Sequence, residues 1–173
     1  MRGVNSVLGV LISMATLSVS AQAMVLSSPV LSQQTPMPAM YTCHGQDISP
    51  ALTWTDVPAS TEAFAIIMRD PDAQNKNWIH WLMYNIPLGT TGIPDNYAAK
   101  ITGVLVGKNS FGHSRYEGPC PQSGSHHYRF ELYALDQALY VNGDLTVTQL
   151  ESAMAGHILG MTSLTVSYAA PRS

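Results

Sequence analysis

Two short apolar runs, Ala63 to Met68 and Trp81 to Ile86, enclose the polar stretch Asp70-Pro71-Asp72-Ala73-Gln74-Asn75-Lys76-Asn77. No other feature constrains the fold as much. Both runs are short, rich in β-branched or aromatic residues and bounded by turn formers, so they read as buried strands. Two aspartates and His80 therefore stand where two core strands meet a loop. Pro71 fixes φ between the acids and removes an N–H, which stiffens that loop. Polar groups on a stiff loop held by a rigid scaffold are a usual way to build a site.

The 173 residues suffice for one domain with a core. Eight Lys and Arg against eleven Asp and Glu argue against a general nucleic-acid binder. Residues 1–23 read as a secretory signal peptide. Arg2 supplies the positive start, Val7 to Leu17 is mostly apolar, and Ala21-Gln22-Ala23 is a small-x-small cleavage site. The competing reading, a membrane anchor, meets a run too short and too serine-rich to span well. Cleavage after Ala23 leaves residues 24–173 as a single domain. Its formal charge moves from −3 to −4, because Arg2 is the one charged residue removed. No later segment is long and apolar enough to cross a membrane. The expected location is periplasmic or secreted, in a bacterium. Cys43 and Cys120 then read as one disulfide, or as two buried thiols if the chain stays in a reducing compartment.

Met24 to Met40, rich in Ser, Pro and Gln, reads as an extended leader with one edge strand. Ala51 to Trp54 is a short alternating strand, and residues 101–121, with four glycines, read as loop. His127 to Leu135 is the clearest strand: Tyr128, Phe130, Leu132 and Ala134 face one way, and His127, Arg129, Glu131 and Tyr133 the other. One helix is expected. Thr148-Gln149-Leu150-Glu151 reads as its capping box, with Leu150, Met154, His157, Ile158 and Met161 as an apolar stripe and Gly160 at its end. Leu164, Val166 and Tyr168 alternate as a last strand. Many short strands and one late helix indicate a mainly β domain.

A second polar cluster, Tyr116 to Tyr128, repeats the design of the first: a Gly/Pro-stiffened loop runs into a strand, with His and Tyr at the junction. Asp70-Pro71-Asp72-Ala73, Trp78-x-His80-Trp81 and Gly118-Pro119-Cys120-Pro121-x-Ser123-Gly124-x-His126-x-Tyr128 resemble the two signature blocks of the phosphatidylethanolamine-binding protein family, in its bacterial Raf-kinase-inhibitor-like branch. Ser49-Pro50-Ala51-Leu52-Thr53-Trp54, Asn109-x-Phe111-Gly112 and Ala155-Gly156-His157-Ile158-Leu159 fit the same branch, and the match runs from about Cys43 to Tyr168. The resemblance implies a large central antiparallel sheet packed on a smaller sheet, with a C-terminal helix. It also implies a small pocket for phosphate, acetate or a phosphoryl headgroup, made by Asp70, Asp72, His80, Gly118, Pro119, His126 and Tyr128. No cofactor is implied.

A phosphoryl group needs donors, which a protonated imidazole and a phenol supply. The aspartates are then expected to hold the histidines charged and oriented, with the proton of His80 held by Asp70 or Asp72. Trp78 and Tyr116 are expected to wall the mouth. Three positions depart from the family pattern: Gln74 and Gln122 stand in place of prolines, and His127 in place of an arginine, which removes a fixed cation.

Three functions compete. The first is an exported binding protein for a small anion or headgroup, acting through an unknown protein partner, and not an enzyme. The second is a hydrolase or metal-dependent enzyme using the Asp/His cluster. Neither Gly-x-Ser-x-Gly nor His-Glu-x-x-His is present to support it. The third is a structural or inhibitory protein with a vestigial pocket. His80 itself also reads as a core histidine if taken alone, and His157, His113 and His44 read as structural or surface residues.

Overall fold

A computed structural model of the chain describes residues 23–75, 77–97, 101–141 and 143–171. The expected signal peptide lies, except for Ala23, outside the described residues. The described elements are, in order, β1 (Val25–Ser27), β2 (Leu52–Thr55), β3 (Ala63–Asp70), β4 (Trp78–Pro87), β5 (Gly92–Ile93), β6 (Leu105–Val106), β7 (Ser125–Leu135), α1 (Val147–Met154) and β8 (Ile158–Ala169). A single 3-10 turn, Ala39–Tyr41, precedes β2. The strands form two sheets, a large one ordered β6-β4-β3-β7-β8 and a small one ordered β1-β2-β5, and every strand pairing is antiparallel. A mainly β fold of two packed sheets is thus observed, with one helix late in the chain.

β3 is the middle strand of the large sheet, and all eight of its residues are buried. Its composition explains this. Phe64, Ile66 and Met68 join a core shared with Leu26 and Trp54 of the small sheet. Ala65 and Ile67 join a second core on the opposite face, with Leu82, Tyr84, Leu139, Leu150 and Met154. A strand covered on both faces cannot alternate in polarity, so it reads as a continuous apolar run. β7 alternates as expected, with Tyr128, Phe130, Leu132 and Ala134 buried towards the small sheet.

The helix differs from expectation. Its N-cap is Thr146, whose N–H and hydroxyl both donate to Gln149 Oε1, at 2.9 and 3.0 Å. The capping pair therefore lies two residues before Thr148 and Glu151, and Glu151 is free to bond Arg69. The helix also stops at Met154. Gly156 adopts φ +84°, and Ile158 and Met161 belong to β8, paired with Leu135 and Tyr133. The 3.6-residue spacing of the apolar positions was real, but a long ladder with β7 outweighs a further turn of helix. His157 sits in the connecting turn, where its Nδ1 lies 2.9 Å from Asp136 Oδ1.

β8 is an edge strand. Residues 33–37 of the leader lie along its second half: Gln34 and Met37 donate their N–H groups to Thr165 O and Ser167 O at 2.7 Å. The edge strand expected in the leader is β1. A disulfide joins Cys43 to Cys120, with Cα atoms 5.5 Å apart.

Candidate functional site

β3 ends where β4 and β7 begin, so three neighbouring strands deliver their polar ends to one edge of the large sheet. A cavity of about 610 Å³ opens there. Asp70, Asp72, Trp78, His80, His126 and Tyr128 all line it, as do Phe111, Cys120, Pro121, Gln122 and Ser123. The two polar loops of the sequence do converge on one hollow.

Asp70, the last residue of β3, is buried, and its carboxylate is fully engaged. Oδ1 accepts the N–H groups of Asp72 at 2.8 Å and Ala73 at 2.9 Å. This closes an Asx turn around Pro71, which has no N–H to offer. Oδ2 lies 2.7 Å from His126 Nδ1. Asp72 lies at the rim and accepts both the backbone N–H and the Nδ1 of His127, at 2.8 and 2.7 Å. These bonds, the backbone one first, hold its carboxyl below the usual carboxylate range. His127, which replaces the arginine of the family pattern, therefore closes the Asp72 loop onto β7.

His80 owes its direction to a bulge. Met68 pairs with Trp81, but Arg69 pairs with Ile79, so His80 is an extra residue in the β4 ladder. A bulge of this kind re-aims a side chain out of the strict alternation. Without it, adjacent Trp81 and His80 would face opposite ways. Instead Trp81 enters the core between the sheets while His80 lines the hollow. Its Nδ1 lies 2.7 Å from the carbonyl oxygen of Glu117. A carbonyl only accepts, so Nδ1 carries the proton and Nε2 a lone pair. This corrects the sequence expectation: neither Asp70 nor Asp72 holds the proton of His80. Burial, moreover, pushes its pKa below the usual imidazole range, against the opposing pull of the Glu117 carbonyl and of Asp70. The ring stands edge-on to Tyr128 and Phe111, with centroids 5.2 and 5.6 Å apart. Tyr128 is buried, and burial, then the Asp70 carboxylate, holds its phenol protonated far above its ordinary range.

Gly118 and Pro119 are placed behind the wall, not among its lining residues. Gly118 N–H donates to Asp47 Oδ1 at 2.7 Å, and a Cβ there would stand 2.2 Å from Tyr41 O. Only glycine permits that approach. Pro119 O accepts from Cys43 N at 3.2 Å, beside the disulfide. The two residues thus anchor the loop that presents Cys120 to Ser123. Tyr116 does not wall the mouth. It is buried, donates to Tyr41 O at 2.7 Å and lines a separate hollow of about 290 Å³. Phe111 takes the wall position expected of Tyr116, edge-on to Trp78 at 5.2 Å. Buried Asn109 shapes its loop by accepting from Phe111 N and His113 N at 3.0 Å. The Asn109-x-Phe111-Gly112 block was the signal, but nothing in it told the direction of the ring.

Among the described residues, no lysine or arginine lines the hollow. Among the described residues, the donor atoms of Asp70, Asp72, His80 and His126 do not gather into a three-ligand cluster within 4.8 Å; Cys43, His44 and Cys120 do, but as a disulfide those sulfurs are not thiolate ligands. Among the described residues, no helix is long and apolar enough to cross a membrane.

The family model for phosphatidylethanolamine-binding protein matches residues 27–169. A UPF0098 protein of Methanothermobacter thermautotrophicus is 43% identical over 131 residues, covering 74% of this chain and 87% of its own. Another, from Chlamydia pneumoniae, is 39% identical over 150 residues, covering 84% and 98%. The fold is shared with a Chlamydia trachomatis protein described as a homologue of phosphatidylethanolamine-binding protein (TM-score 0.80, 35% identity, 86% of this chain and 99% of that one). It is also shared with YbcL of E. coli (TM-score 0.81, 27% identity, 87% and 100%), described as a member of the mammalian family.

Proposed function

The chain belongs to the phosphatidylethanolamine-binding protein family, and from that premise we propose that it is an exported binding protein, not an enzyme, whose hollow holds a phosphoryl group. Free phosphate and a phospholipid headgroup share that chemistry. Bound or empty, the protein then acts through a protein partner. One observation carries the reading: Asp70 spends both oxygens on protein donors. Its carboxylate is therefore part of the frame, and the polar groups left to a ligand include the Tyr128 phenol, the His80 and His126 rings, Gln122 and Ser123. A cavity of about 610 Å³ is of a size that small-ligand sites have.

Calorimetric titration with phosphate and phosphoethanolamine tests this, and an absence of saturable binding by either refutes it. His80→Ala is expected to weaken binding ten- to a hundredfold, about 1.5–3 kcal/mol for one charge-assisted bond. The variant's melting temperature is measured on the same sample. Unchanged affinity in a folded variant means that His80 is only a core residue.

Export rests on the leader. The exported chain is expected to begin at Met24, and N-terminal sequencing that finds Met1 instead rejects it. The disulfide accords with an oxidising compartment.

A further inference from the structure

The hollow presents an imbalance. Among the described residues, it is lined by two carboxylates and by no lysine or arginine. The buried His80 ring has given its one neutral-state proton to the Glu117 carbonyl. The hydrogen bonds of the described residues engage the His80 ring through Nδ1 and leave Nε2 out. It is also not a sealed atom, because among the described residues Trp54 Nε1 is the one buried side-chain polar atom left without a partner. Nε2 therefore reaches the open hollow as an acceptor. A phosphoryl oxygen is an acceptor too, and two acceptors cannot meet without a proton between them.

We propose that the hollow takes up its phosphoryl ligand together with one proton, which resides on His80 Nε2. The inference rests on the phosphoryl-binding reading above and specifies the state in which such a ligand is held. One N–H bond forms at Nε2, the proton comes from water or buffer, and no bond of the ligand breaks. The imidazolium then has donors at both ends, to the Glu117 carbonyl and to the ligand.

The groups packed around the ring favour this division of roles. From β3, Asp70 places a carboxylate near it, with its oxygens committed to the Asx turn and to His126. From β7, Tyr128 contributes a neutral phenol and His126 a ring whose Nδ1 is turned to Asp70. From the loop behind, Asp47 is bonded to Gly118 N–H. The carboxylate of Glu117 points away, to His113 and Arg115. Phe111 is apolar and shields the ring edge. Burial by itself disfavours the charged ring. An anion against Nε2 reverses that balance, because an opposite charge in contact stabilises the imidazolium.

The sign follows. Ligand raises the pKa of the ring from its depressed free value to a higher bound one. Affinity is fully present below the free value, falls by about tenfold per pH unit between the two, and levels off above the bound value. A dimethyl phosphate probe isolates the effect, since a diester stays monoanionic from pH 5 to 9, roughly, far above its own pKa, and brings no titration of its own.

The test is calorimetry of the exported form with dimethyl phosphate across that range, repeated in two buffers of different ionisation enthalpy. The imidazole nitrogen signals are followed by NMR in the same titration. Expected are falling affinity with rising pH, uptake of about one proton per ligand bound, and conversion of His80 from the neutral Nδ1–H tautomer to the doubly protonated ring. Binding that is independent of pH and buffer overturns the proton proposal and leaves the phosphoryl reading standing. Proton uptake seen at His126, with His80 still neutral, overturns the assignment. No binding of diester or inorganic phosphate at any pH overturns both.

Discussion

Glu131→Ala is expected to destabilise the protein by about 3–5 kcal/mol, the usual cost of leaving a buried charge without its partner. Glu131 lies on the face of β7 opposite Tyr128 and is 3% exposed. It accepts from Arg69 Nε at 2.9 Å, from Arg129 Nε at 2.7 Å and from the Tyr133 hydroxyl at 2.7 Å. Burial and that carboxylate push the Tyr133 phenol up to about 12. Arg69, 8% exposed, also reaches Glu151 of α1 at 3.0 Å and the Asn77 side chain. Removing Glu131 leaves the guanidinium with the half-exposed Glu151 as its remaining carboxylate. Its melting temperature should fall by roughly 6–20 °C for a domain of this size. Replacing the pair together, Arg69→Met with Glu131→Leu, is expected to recover much of the loss, since apolar side chains of similar volume bring no buried charge. Urea unfolding of the single and double variants checks this, and a single variant within about 1 kcal/mol of the parent sinks it. Phosphate affinity should be unchanged, because the cluster lies across the sheet from the hollow.

Reduction of the disulfide, or Cys43→Ala with Cys120→Ala, is expected to cost about 4 kcal/mol. The bridge spans 77 residues of sequence, and a closed loop of that length restricts the unfolded chain strongly. The effect should reach the site as well. Cys120 lines the hollow, and the loop it belongs to is otherwise tied down through Gly118 N–H and Pro119 O. Thermal melts with and without a dithiol reductant measure the stability, and phosphate titration of the reduced, folded protein measures the site. Two reactive thiols in unfolded, unreduced protein, or an unchanged melting temperature on verified reduction, rejects the expectation.

Local pattern was enough where one principle dominated. The runs ending at Met68 and Ile86 are apolar because both faces of their strands are covered, and that is visible without a structure. The same holds for β7, where period-two alternation placed Tyr128 and Phe130 inward. The helix was legible in existence but not in extent. Leu150 and Met154 were assigned to its buried face correctly, whereas Ile158 and Met161 keep helical spacing yet pair with β7. A pairing partner more than twenty residues away in sequence leaves no trace in local spacing.

The chain by itself determined its class, the family, the cysteine pair and the two loops that meet at the hollow, because these depend on residue identity and short-range order. It did not determine what each polar atom does there. Arg69 and Asp70 are neighbours, yet one enters a buried cluster under α1 and the other frames the hollow on the opposite face. His80 points to the hollow because of a one-residue slip against β3, and its proton goes to the backbone of Glu117 instead of to the aspartates nearby in sequence. Register, bulges and backbone acceptors arise only when distant strands pair, so which histidine nitrogen faces a ligand is a property of the tertiary structure alone.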